Sequence, residues 1–173
     1  MLQLMTPTFD HWLLSRRSLL MASAAGVFGV FRAPEQVLAA SKASDSAWDL
    51  SDAQWKQRLS PESYSVLRRE GTEPPFTSPL NNEKRNGTYH CAGCDQPLFS
   101  SKAKFDSGTG WPSFFESLPG AIATKVDFKL IIPRTEYHCS RCGGHQGHVF
   151  NDGPRPTGKR YCNNGVALRF QPV

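Results

Sequence analysis

The sequence has no apolar run long enough to cross a membrane, which takes about 20 residues; its N-terminal apolar stretch, Leu19 to Phe31, stops well short. It also has no block of five or more like charges. A net charge of +5 scattered over 173 residues gives little support to a nucleic-acid partner held through its phosphates. Cysteine is sparse as well, and none precedes Cys91, so the N-terminal region offers no thiol for a lipid anchor. With 39% hydrophobic residues the chain can bury one real core, and it is too short for two full domains.

Arg16 and Arg17 in "SRRSLL" precede that modest apolar run, and small residues from Val37 through Ala43 offer a cleavage site. Residues 1–40 therefore read as a Tat-like signal peptide. That reading places the mature protein outside the cytoplasm, in the periplasm, with no stable membrane anchoring after cleavage. An uncleaved amphipathic anchor, flanked by Arg32, is the alternative. Residues 41–50 start polar and read as a flexible N-terminal segment, which leaves 51–173 as the folded domain.

Two short helices open that domain. Ser51 with Gln54 forms a capping-box pattern, Ser60 followed by Pro61 gives an N-cap with proline at the first helical position, and Gly71 reads as the stop. Trp55, Leu59, Tyr64 and Leu67 would supply their apolar faces. From Thr72 onward, proline and glycine punctuate short β-prone runs: "GTYHC", "LFSSKAKF", "AIATKVDF", "TEYHC", "GHVF" and "GVALRF". "VDFKLIIP" reads as a buried strand ending at Pro133. The pattern predicts a mainly β, antiparallel domain with short N-terminal helices.

Four of the five cysteines fall into two pairs, Cys91/Cys94 and Cys139/Cys142, set in the echoing stretches "TYHCAGC" and "EYHCSRC". Two such knuckles can present four thiolates to one tetrahedral zinc ion. The long spacing between them exceeds that of a plain zinc ribbon, so a small domain would have to fold between the knuckles. Each C-x-x-C could instead be a redox disulfide in an oxidising compartment. Cys139, Cys142, His145 and His148 could also share a metal, which would strand the first pair.

Cys162, in "GKRYCNNGVALRF", has no such partner. Arg160, two residues before it, shares its face if the segment is a strand, and Lys159 adds a second cation; both favour a thiolate. Asn163 and Asn164 argue against a deep apolar site. These neighbours predict an exposed, activated thiol. His145 and His148, in the glycine-rich stretch "CGGHQGHVFNDGP", could point both imidazoles into one cleft for acid–base work. His90 and His138, each beside a knuckle cysteine, read as structural. In "FDSGTGWPSFFE", Trp111 could hold an indole at the surface for an apolar or methyl-bearing ligand.

Taken in order, "CAGCDQPLFSSKAKFDSGTGWPSFFE" and "EYHCSRCGGHQGHVFNDGPRPTGKRYCNNGVALRF" resemble the methionine-R-sulfoxide reductases of the MsrB type, over about residues 50–170. The resemblance implies two antiparallel sheets with peripheral helices and a structural zinc ion on Cys91, Cys94, Cys139 and Cys142. It makes Cys162 the nucleophile, with His145, His148 and Asn164 binding or polarising the sulfoxide oxygen. Trp111 would receive the S-methyl group, and Asp152, in "FNDGP", would be a carboxylate near the histidines. The implied reaction is thiol-dependent reduction of methionine-R-sulfoxide, mainly in oxidised proteins or peptides, through a sulfenic acid on Cys162: protein repair under oxidative stress.

The chain departs from that pattern in two places. Thr109 stands where many members carry a recycling cysteine, which predicts resolution by a small thiol or a thioredoxin-like partner. Asn163 and Gly165 replace an apolar residue and a serine common in the family. The rival functions are an exported zinc-ribbon-like binding module without catalysis, and a thiol oxidoreductase working through a C-x-x-C disulfide.

Overall fold

The computed structural model describes residues 47–173; the signal-peptide reading for 1–40 and residues 41–46 lie outside them. Helix α1, Asp52–Arg58, starts where Ser51 and Gln54 complete a reciprocal capping box. Helix α2, Pro61–Arg69, starts on the Ser60 side chain, which accepts from the Ser63 amide at 3.1 Å. Its left-handed terminal residue is Glu70 (φ 53°) and not Gly71. Ion pairs from Lys125 (2.6 Å) and Lys129 (2.5 Å) hold the Glu70 side chain there and pull its carboxyl down to about 2.

The chain then makes nine short strands: β1 Gly87–Cys91, β2 Pro97–Ser100, β3 Lys104–Phe105, β4 Ser113–Phe114, β5 Ile122–Asp127, β6 Arg134–Cys139, β7 His145–Phe150, β8 Arg160–Asn163 and β9 Leu168–Pro172. They form two sheets, ordered β2-β1-β9 and β3-β4-β8-β7-β6-β5, and every pairing is antiparallel. The fold is mainly β, with two antiparallel sheets and two short N-terminal helices, as the resemblance implied.

Aromatic side chains from both sheets make the core. Phe99 of β2 stacks on Phe114 of β4 with ring centroids 4.3 Å apart, Tyr89 of β1 meets Phe114 edge-on at 4.8 Å, and Tyr137 of β6 meets Tyr161 of β8 at 5.4 Å. The helices dock through buried Trp55, Leu59, Val66 and Leu67. Tyr64 stays half-buried, its hydroxyl bonded to Asp52. Trp48 and Leu50 also pack against this cluster, Trp48 stacking on Trp55.

The two knuckles are built alike. The Cys91 amide donates to the Gln96 carbonyl and the Asp95 amide returns to Cys91; five residues apart in the same way, Cys139 donates to Gly144, and Gly143 returns to Cys139. Tyr89 and Tyr137, two residues before the first cysteine of each knuckle, are both fully buried. The echo in the sequence is thus one strand-into-knuckle device used once in each sheet.

The stretch "VDFKLIIP" corrects an expectation. Strand β5 ends at Asp127, and residues 128–133 form the exposed tip of the β5–β6 hairpin, closed by the Asp127↔Arg134 pair. An apolar run without alternation cannot by itself distinguish a buried strand from an exposed apolar loop. Among the described residues, no helix is long and apolar enough to cross a membrane.

Candidate active site

Cross-strand register brings the reactive residues together. Cys162 of β8 lies directly opposite His148 of β7 on one side and Ser113 of β4 on the other. Directly opposed residues in an antiparallel pair hold their side chains on one face, with Cβ atoms about 5 Å apart. The close approach of β7 to β8 requires glycine at 147, where a Cβ would come within 1.9 Å of the Cys162 carbonyl oxygen.

His145 and His148 are an odd number of residues apart, so a regular strand would turn them to opposite faces. The β6–β7 register slips between Tyr137 and His138, making Gln146 an extra residue in β7. The slip returns the imidazoles to one side, with ring centroids 5.5 Å apart. Only His148 reaches the cavity. His145 is buried behind it, its Nδ1 2.7 Å from Glu136, so the expectation that both rings open into one cleft is corrected.

Each imidazole has its own carboxylate. His148 Nε2 lies 2.7 Å from Asp127, which also pairs with Arg134 at 2.6 Å. The Lys129 amide first, then His148, hold Asp127 well below the usual carboxylate range. Burial alone would raise Glu136, but hydrogen bonds with His145 and His138 outweigh it and hold it low. His148 itself is held below its ordinary value, by burial first and with Arg134 adding, against the pull of Asp127.

The cavity over Cys162 is lined by Trp111, Arg134, His148, Phe150 and Asn164 among others. Trp111 is fixed by its indole N–H, which donates to the Glu73 carbonyl at 3.0 Å. Asn164 donates to the Gln146 carbonyl and accepts from the Glu73 amide, both at 3.0 Å, so its amide plane is set before any ligand arrives. Neither asparagine after Cys162 is exposed. Asn163 is fully buried and accepts from the Tyr137 hydroxyl at 2.6 Å, so polarity here reflects satisfied burial rather than a wet surface.

Cys162 is half-buried, and burial pushes its thiol up, against Thr109 and Arg160, which pull it down. The activated thiolate expected from the nearby cations is therefore corrected: in the free protein, desolvation wins. Thr109 Oγ1 lies 4.0 Å from the sulfur. Asp152 does not touch the histidines. It grips Arg160 through two bonds of 2.8 Å, while the Arg160 guanidinium lies over the Phe150 ring at 4.3 Å. The carboxylates beside the histidines are Asp127 and Glu136.

The other four cysteines form a separate, buried cluster whose sulfur atoms all lie within 4.8 Å of one another. Contacts cross between the knuckles, Cys94 to Cys139 at 3.4 Å and Cys91 to Cys142 at 3.7 Å. Four thiolates on a tetrahedral ion with bonds of about 2.3 Å would sit roughly 3.8 Å apart. The set therefore fits one metal ion, and all four thiols are free of disulfides. His145 and His148 point to carboxylates and are not part of this cluster.

The SelR domain family matches residues 59–172. The peptide methionine sulfoxide reductase MsrB of Agrobacterium fabrum is 55% identical over 124 residues, covering 71% of this chain and 92% of that protein. The MsrB of Thiobacillus denitrificans is 55% identical over 123 residues (70% and 93%), and that of Methanosarcina barkeri is 51% identical over 129 (74% and 91%).

This chain belongs to the MsrB peptide methionine sulfoxide reductases. Within that family frame, several residues that build the site were not singled out from the sequence. Glu73 is the clearest: its buried carboxylate accepts from the Gly165 amide (2.6 Å) and the Val166 amide (3.0 Å), while its backbone holds Asn164 and Trp111. A lone acid between turn residues in "GTEPP" was its only signal. Asp127, Arg134 and Glu136 sit on strands whose β-propensity, not their charge, drew notice. Gly165 follows from the same packing, because a Cβ there would come within 1.9 Å of Ser78 Oγ.

Proposed function

We propose that this MsrB protein reduces methionine-R-sulfoxide in oxidised proteins and peptides, with Cys162 as nucleophile and His148 as proton carrier. The observation that carries the reading is the placement of His148 opposite Cys162, in one cavity walled by Trp111. The substrate's S-methyl group packs on the indole, and its oxygen faces His148 and the free N–H of Asn164. A sulfoxide sulfur becomes electrophilic once its oxygen is hydrogen-bonded or protonated.

In the resting site Cys162 is a thiol and His148 a neutral imidazole, because burial disfavours charge on both. When substrate arrives, the thiol proton passes through His148 to the sulfoxide oxygen as sulfur attacks sulfur. The S–S bond so formed then breaks as the oxygen passes from the methionine sulfur to the Cys162 sulfur, so methionine leaves and Cys162 holds the oxygen as a sulfenic acid. The thiol's own proton ends on that oxygen, so this half-reaction takes up none. Arg160, held by Asp152 and Phe150, favours negative charge on the sulfur as it forms. Handedness of the pocket selects the R epimer.

Thr109 cannot resolve the sulfenic acid, and the other thiols are committed to the buried cluster. Two external thiols, or one thioredoxin-like dithiol, therefore reduce it and release water. Cys91, Cys94, Cys139 and Cys142 would hold a zinc ion, whose role would be structural, joining the two knuckles. Export by a Tat-type signal places the enzyme in the periplasm; replacing Arg16 and Arg17 with lysine should leave it in the cytoplasmic fraction.

Turnover of a methionine-R-sulfoxide peptide with dithiothreitol, lost in Cys162→Ser, tests the reading. A folded, metal-loaded protein that turns over only the S epimer, or whose Cys162→Ser variant stays active, would sink it. Elemental analysis showing an ion other than zinc would overturn the metal assignment alone.

A further inference from the structure

Among the described residues, the exposed large apolar side chains are Phe76, Val126, Phe128, Leu130, Ile131, Ile132 and the C-terminal Val173. All but Val173 lie on two segments that adjoin the Cys162 cavity. Clustering of this kind marks an interaction site, whereas scattered apolar residues on a surface need no explanation.

The first segment is the tip of the β5–β6 hairpin. Its closing pair belongs to the site itself, since Asp127 bonds His148 and Arg134 lines the cavity. The chain leaves the cavity wall at Asp127 and returns to it at Arg134. Between them, Phe128 is 74%, Ile132 75% and Ile131 fully exposed. Lys125 and Lys129 share the single carboxylate of Glu70, which holds both ammonium groups back at the base of the tip. Beyond Lys129 the end of the tip, Leu130 to Pro133, carries no charge and suits apolar side chains.

The second segment carries Phe76, whose φ of 65° is rare for a bulky residue and costs free energy. A hydrogen bond of 2.7 Å from its amide to the Gly110 carbonyl holds it in that conformation. The ring gains no burial in return, being 73% exposed. It lines a shallow cavity that shares Trp111 with the Cys162 cavity. Strain retained to display an aromatic ring points to a ligand that covers it.

We infer that these two segments form an apolar rim which receives the residues flanking methionine sulfoxide in an unfolded polypeptide segment. The inference rests on the reduction chemistry proposed above and names its substrate class. Methionine is usually buried among apolar neighbours in folded proteins, so an oxidised methionine in a locally unfolded segment carries those neighbours with it. The cavity takes the sulfoxide, and the rim takes the apolar side chains on either side of it.

The test uses the full, zinc-loaded chain and three R-sulfoxide substrates: a peptide with leucine and valine flanking the sulfoxide, one with serine and glycine, and N-acetylmethionine sulfoxide. The wild type should prefer the apolar peptide over the polar one by about tenfold in kcat/KM, expressed in KM. The double variant Ile131→Ser with Ile132→Ser, and separately Phe76→Asn, which tolerates the left-handed backbone, should each shrink that preference. Turnover of N-acetylmethionine sulfoxide should stay within about twofold, since it reaches neither segment.

Equal kcat/KM for the two peptides in the wild type, or a preference that survives both variants, would overturn the rim while leaving the reduction chemistry intact. No turnover of any of the three would overturn the chemistry and the inference with it. A wild-type dimer that the double variant converts to monomer, or co-sedimentation with phosphatidylcholine vesicles that the variant abolishes, would assign the patch to another occupant and also overturn the proposal.

Discussion

Cys162 is held between opposing influences. Burial raises its thiol, while Thr109 and Arg160 lower it, and the balance leaves it above an ordinary cysteine. The thiolate fraction near neutral pH is therefore small and climbs as pH rises through the raised value. Alkylation by iodoacetamide should follow that climb. Arg160→Ala removes a lowering influence and should slow alkylation at pH 8 by several-fold. Equal rates in wild type and Arg160→Ala would show that Arg160 does not act on the sulfur. The sequence made Cys162 and Arg160 visible, because unlike charge two residues away on a strand is a legible pattern. The cost of burial was not legible, since it depends on how β4 and β7 close over the thiol.

Thr109 sits with its hydroxyl 4.0 Å from the Cys162 sulfur. A cysteine at that position would place its sulfur near enough to capture the sulfenic acid. Thr109→Cys treated with one equivalent of substrate and no added thiol should show a 109–162 disulfide by mass spectrometry, where the wild type shows none. A free sulfenic acid persisting in the variant would mean that the "SGTGW" loop is held too rigidly for the two sulfurs to meet.

Among the elements, the segment carrying Glu73 matters more than its irregular backbone suggests. Its carboxylate is the acceptor for two amides just after Asn164, and its backbone orients both Asn164 and Trp111. Glu73→Ala leaves the buried Gly165 amide and the part-buried Val166 amide unpaired and should cost roughly 2–4 kcal/mol. Glu73→Gln keeps one acceptor and should recover part of that in urea denaturation, with kcat falling in both. A Glu73→Ala protein of wild-type stability would contradict this account. The helices were readable because their caps are local: Ser51 with Gln54, and Ser60 with Ser63 just past Pro61, bond within four residues. The "FKLIIP" tip was not, because whether an apolar run is covered depends on partners distant in the chain.

For the whole molecule, the four-cysteine cluster is the only tie of its kind between the sheets among the described residues, joining the end of β1 to the end of β6. The helices depend on it too, because Trp55 packs against the first knuckle, its ring 3.5 Å from where a Cβ on Gly93 would stand. Binding energy at such a site is folding energy, about 10–16 kcal/mol for structural zinc in small domains. Stripping the metal should therefore do more than lower the melting temperature. It should release the helices, shift tryptophan emission to the red, and abolish peptide reduction, although no ligand of the ion touches the Cys162 cavity. Acid adds a second route to the same loss. Asp127, Glu136 and Glu70 are all held below their ordinary values, so they contribute stability that is present above about pH 4.5 and lost as pH falls through their lowered values. Chelation at pH 7.5 followed by emission, circular dichroism and activity should show all three signals move together and return together on adding zinc. If the stripped protein kept its tryptophan environment and its activity, the cluster would be an ornament on a fold that the aromatic core holds by itself.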